Sequence, residues 1–69
     1  MGRKERIETL RQICLKNNLT PDEIGFADKI FQICAALWGV DRRTARTYLV
    51  TLIDLWRFDQ WKITYQVTV

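Results

Sequence analysis

The stretch Ala35–Leu52, AALWGVDRRTARTYLVTL, decides how this chain folds. A helical run carrying Ala35 meets Gly39, which can take the left-handed conformation that ends a helix without steric cost. Val40 follows, apolar and placed to tuck into the angle between two helices. Asp41 can accept hydrogen bonds from the free amides of the next helix's first turn. That next helix opens with Arg42, Arg43, Thr44 and Arg46. Ala35, four residues before the glycine, is small enough to let two helices cross closely. The pattern predicts two helices at an angle, joined by a tight turn, with three arginines at the tip of the second.

Working outward, the helix that closes this stretch is expected to run from just after Asp41 to about Leu55. At a helical step of about 100° per residue, Ala45, Tyr48, Leu49, Leu52 and Trp56 fall on its buried side. Arg43, Thr47, Val50 and Asp54 fall opposite, with Arg46 and Thr44 on the shoulders. Before the turn, Thr20-Pro21-Asp22-Glu23 announces a helix reaching Trp38. The threonine is its N-cap, proline its first residue, and the glutamate reaches back to complete a capping box. Ile24, Ala27, Ile30, Phe31, Cys34 and Trp38 form its main apolar stripe, flanked by Phe26, Ile33 and Leu37, while Gly25 can kink or split its start. A further helix is expected over about Lys4–Asn17. There Ile7, Leu10, Ile13 and Cys14 make a stripe, and Glu5, Glu8, Arg11 and Lys16 occupy the polar side.

After the third helix, Trp61 to Val69 alternates apolar and polar residues, the pattern of a strand with one buried face. Its antiparallel partner is expected at Trp56–Phe58, turned at Asp59-Gln60. The fold class is therefore mainly α with a small C-terminal β-hairpin, one domain over residues 1–69. A chain of 69 residues lies near the lower limit for a self-sufficient core. Its 48% apolar content excludes a disordered tail. Three tryptophans are many for this length; Trp38 and Trp56 read as core, and Trp61 as core or interface. Excess apolar surface and an underpaired terminal strand point to a homodimer.

Net charge is +3, and its distribution is uneven. Residues 1–18 carry five basic and two acidic groups, residues 41–69 five and three, and residues 19–40 only Lys29 against three acids. With no histidine and two cysteines, a structural zinc site is excluded. Cys14 and Cys34 sit at apolar helix positions and read as buried hydrophobes, a disulfide being the other reading. No cofactor or metal is expected. The N-terminus lacks the apolar core of a signal peptide, and Phe31–Val40 is too short to span a bilayer. An intracellular, cytoplasmic protein without a membrane partner is the expectation. No nucleophile–base pair or phosphate-binding glycine loop is present, so the chain does not read as an enzyme.

Residues Gly39-Val40-Asp41-Arg42-Arg43-Thr44-Ala45-Arg46-Thr47-Tyr48-Leu49 resemble the turn and recognition helix of small winged helix-turn-helix transcriptional regulators. Such regulators occur widely in bacteria, archaea, plasmids and viruses. The likeness covers about a third of the chain closely, and the order of three helices and a hairpin extends it to a three-helix winged helix-turn-helix. It departs in two places: Ala45 stands where a valine or isoleucine is usual, and the wing tip would be a short, acidic Asp59-Gln60. The resemblance implies double-stranded DNA as partner, with the third helix in the major groove. Arg43, Thr44, Arg46 and Thr47 would then face base edges, and Arg42 would touch phosphate. Arg3, Lys4 and Arg6, with Arg57 and Lys62, would neutralise further phosphates. The bland alternative is a solvated helix start whose arginines pair with Asp41 or neighbouring acids. Against it, three cations at a helix N-terminus oppose the helix dipole. Two other functions remain open, a winged-helix protein–protein interaction module within a larger assembly, and a plasmid or virus replication or partition factor.

Overall fold

The computed structural model describes residues 2–62, which form three helices: α1 (Arg3–Lys16), α2 (Phe26–Trp38) and α3 (Arg42–Arg57). In α1 the Glu5 carboxylate reaches back to the Gly2 amide at 2.7 Å, satisfying one of the unpaired donors of a helix start. The helix ends where Asn18 turns left-handed at φ 55°, a conformation that asparagine tolerates better than most residues. The Leu19 amide then donates to the Cys14 carbonyl at 2.8 Å and the Asn18 amide to Leu15 at 3.3 Å. That pair of bonds is a Schellman stop, and it folds Leu19 into the core.

The second helix starts later than its capping signals promise. Thr20–Gly25 forms turns, with Glu23 donating to the Thr20 carbonyl at 3.0 Å and Phe26 to that of Glu23 at 3.2 Å. The Thr20 hydroxyl donates to the Asp22 carboxylate, so it does not cap a helix. Gly25, left-handed at φ 85°, becomes the N-cap of α2. A helix cannot pass through that conformation, and Ile24, expected in the apolar stripe, stands fully exposed. The stripe that is buried runs Phe26, Ile30, Cys34 in steps of four.

α3 packs against both other helices. Ala45, Tyr48, Leu49 and Leu52 are its buried face, meeting Leu10 and Cys14 of α1 and Phe26, Ile30 and Cys34 of α2 in one cluster. Ala45 is 1% exposed, whereas Ala35 is at the surface. The small residue within the core is therefore Ala45; Ala35 serves the turn through its carbonyl, which accepts the Gly39 amide at 3.0 Å. Cys14 and Cys34 are free thiols buried in the core, and burial pushes Cys14 up to about 11.

The expected C-terminal β-hairpin is not seen, and with it the winged assignment fails. Among the described residues there is no strand. Trp56 and Arg57, the expected strand partner, are the last turn of α3, and the Phe58 amide donates to the Asp54 carbonyl at 2.9 Å. Asp59-Gln60 is a second Schellman stop: Asp59 has φ 60°, and the Gln60 amide donates to the Leu55 carbonyl at 2.7 Å. An established helix adds one hydrogen bond for each residue fixed, so it propagates until such a left-handed residue intervenes. Trp61 and Lys62 lie in a bend, and the rest of the expected strand, residues 63–69, lies outside the described residues.

Beyond α3 the chain returns to the core. Trp61 is 4% exposed and meets Phe26 and Trp56 edge-on, with ring centroids 6.4 and 5.9 Å apart. Its carbonyl accepts Nη1 of Arg11 at 2.6 Å. Arg11, expected on the polar side of α1, is instead buried, forked onto the Glu8 carboxylate at 3.0 and 2.7 Å. A buried guanidinium requires such partners, and two elements supply them here.

Candidate nucleic-acid interface

The bend between α2 and α3 is built from local bonds. Gly39 is left-handed at φ 63° and ends α2 on the Ala35 carbonyl. Two residues later the Asp41 carboxylate accepts the Thr44 amide at 2.9 Å and caps α3. That amide holds the Asp41 carboxyl below its usual range, and the charge of Arg43 adds to the effect. Val40 is half-buried between the two helices' ends.

This bend leaves Arg42, Arg43 and Arg46 exposed at the start of α3. Among the described residues none of the three is ion-paired; the pair that does form is Arg11–Glu8. Arg42 lies over the ring of Phe31 in α2, 4.5 Å from its centroid, an uncharged partner that leaves its charge available. Arg43, Arg46 and Thr47 face away from the core, and Val50 continues their exposed face one turn on. Asp54, also exposed, ends the cationic part of that face.

Not every expected residue joins this group. Thr44 is half-buried and serves the cap through its amide, and the Thr47 hydroxyl donates back to the Thr44 carbonyl at 2.7 Å. Arg57 sits fifteen residues after Arg42, about 22 Å along the helix axis at 1.5 Å per residue, and lies over Phe58. Lys62 follows Trp61 beyond that far end. These two are not brought to the arginine tip. Arg3 is brought to the middle of α3, where it donates to the Thr51 hydroxyl at 3.0 Å. Lys4 is exposed on α1. Arg6, expected to meet phosphate, is half-buried against Trp38 and Tyr48.

Sequence reasoning passed over Val50 as a surface residue of the site and Thr51 as the partner of Arg3. The first was legible from its position opposite Leu49 and Leu52; the second depends on how α1 crosses α3. Among the described residues no group of His, Cys, Asp or Glu could hold a metal ion, and no helix is long and apolar enough to cross a membrane. Comparison with protein-family models, with curated proteins and with solved structures finds no match for this chain.

Proposed function

We propose that this chain is a sequence-specific double-stranded DNA-binding protein, a transcriptional regulator that lays the first turns of α3 in the major groove. The observation that carries this reading is the trio Arg42, Arg43 and Arg46: exposed, without an acidic partner among the described residues, at the positive end of a helix. That arrangement opposes the helix dipole, and a polyanion would offset it. Arg43 and Arg46 present paired donors suited to guanine O6 and N7, with Thr47 and Val50 beside them as apolar surface for a thymine methyl. Arg42, at the first position of α3 and over Phe31 of α2, and Arg3, which reaches α3 from α1, serve phosphate. One module of this size covers few base pairs, so binding as a homodimer inside the cell is part of the proposal. The chemistry is recognition, not catalysis.

A second reading has its own observation. Ile24, Leu37, Val50 and Phe58 are large apolar residues at the surface, as a module that docks on partner proteins would require. Titration against random duplex DNA at two salt concentrations separates the readings. A DNA binder weakens steeply as salt rises, because association releases counterions. A protein-docking module binds poorly at both. Replacing Arg43 and Arg46 together by alanine should abolish selective binding while the protein stays folded; retained affinity in a folded double variant removes the residue assignment. A replication or partition factor would bind in the same way, and the sequences enriched from a random duplex pool would distinguish these roles.

A further inference from the structure

We infer that Arg6 is a positioning residue for α3: from α1 it braces both arms of the bend and sets how the arginine tip is presented. This rests on the DNA-binding reading for its consequence, although the brace itself is a matter of geometry. The Arg6 guanidinium carbon lies 5.1 Å from the centroid of the Trp38 ring, and Nη1 donates to the Tyr48 hydroxyl at 3.2 Å. Trp38 is the last residue of α2, directly before Gly39. Tyr48 is in the second turn of α3, next to Thr47. The two rings also meet edge-on, with centroids 6.2 Å apart and planes at 83°. One side chain from a third helix therefore touches the arm before the bend and the arm after it.

Simple stabilisation does not explain a guanidinium at this place. Arg6 Nε is buried without a hydrogen-bond partner among the described residues, and no carboxylate there pairs with the group. An unmade buried hydrogen bond costs stability, and an aliphatic side chain would cover the same rings without that cost. What the cation adds is direction. Its attraction to the ring face and its planar donors hold Trp38 and Tyr48 in one relative placement, which greasy contact alone does not. Arg3, one turn earlier, bonds the Thr51 hydroxyl, a second polar contact from α1 to α3. The arginine expected to meet phosphate thus acts through the helix that does.

The test uses the full chain and a duplex selected from a random pool. Arg6→Met keeps the apolar stem and removes charge and donors; Tyr48→Phe keeps the ring and removes the acceptor; Arg6→Lys keeps the charge. Arg6→Met should weaken binding roughly 3- to 30-fold, the range for residues that act on a site without touching its ligand. The slope of affinity against salt should stay unchanged. Amide resonances of Gly39, Val40 and Asp41 should shift, although none of these residues bonds to Arg6. Tyr48→Phe should do the same to a smaller extent, and Arg6→Lys should recover part of the loss. A salt slope reduced by about one, with equal loss on every sequence, would mean a phosphate contact and overturn the proposal. So would unchanged affinity and unchanged resonances in folded Arg6→Met. If Arg6→Met does not fold, Tyr48→Phe and Arg6→Lys decide by the same readouts. If the unaltered protein fails to bind duplex DNA, the functional reading falls and the amide shifts alone judge the brace.

Discussion

Arg11 and Arg43 are the same side chain in opposite circumstances. Arg11 is sealed between α1 and the segment after α3, with its donors met by two carboxylate oxygens of Glu8 and the carbonyl of Trp61. Arg43 stands in solvent on the first turn of α3, unpaired among the described residues, where the helix dipole is unfavourable to it. The difference teaches how to read a basic small domain. A guanidinium that serves the fold is found with its acceptors, because desolvation demands them. Under the proposed reading, one that serves an external anion is found without them. Arg6 lies between these cases, enclosed by rings and a hydroxyl but not neutralised.

The contrast breaks most readily at Arg11. Replacing it by methionine should lower unfolding stability by about 2–3 kcal/mol, below the usual cost of splitting a buried pair because the abandoned Glu8 is half-exposed. Urea unfolding should show a lower midpoint with an unchanged slope. A loss under about 1 kcal/mol would mean that Arg11 is no more structural than a surface arginine.

A smaller effect is expected at the cap of α3. Asp41→Ala removes the acceptor of the Thr44 amide and should lower the melting temperature by a few degrees, with Asp41→Asn largely sparing it. Equal melting of all three proteins would show that the turn holds without its cap.

Acid sharpens the comparison further. The hydrogen bond from Arg11 holds the Glu8 carboxyl below its ordinary value. Its contribution is therefore complete above the ordinary glutamate range, about pH 4.3, and is lost as pH falls through the lowered folded value. Because Glu8 is half-exposed, that loss should stay under about 1 kcal/mol. Arg11→Met should flatten this acid limb; an undiminished limb would place the responsible carboxylate elsewhere.

The smallest effect on stability is expected at the tip itself. Arg43→Ala with Arg46→Ala should leave the fold unchanged or raise its stability by about 0.3–1 kcal/mol, since cations are removed from the positive end of a helix. A destabilised double variant would place these arginines beside Arg11 as structural residues and weaken the contrast.

Legibility followed the range of the interactions. The bend at Gly39, the Asp41 cap and the buried face of α3, apart from Trp56, which was expected in the core and stands at the surface, could be read from residues within four positions of one another, because helix ends and helix faces are set over that distance. The candidate site inherits this: exposure of Arg43 and Thr47 follows from their place opposite Ala45, Leu49 and Leu52, and that of Arg46 from its place on the shoulder. The start of α2 was misread because Thr20-Pro21-Asp22-Glu23 has the composition of a cap, while Gly25 takes a backbone conformation that composition does not reveal. The end of α3 was misread because Trp56-Arg57-Phe58 is too short a run to distinguish helix from strand.

From its order of residues alone, this chain determines three helical segments, one sharp bend and a cationic helix tip, since periodicity and capping act between near neighbours. Only the tertiary structure decided that Arg11 goes inside, that Arg6 lies across Trp38 and Tyr48, and that Trp61 closes the core. Those outcomes join residues from about thirty to fifty positions apart. A side chain that carries both a long apolar stem and a charge can be satisfied on either side of a helix, so its place depends on which distant partner the packing brings to it.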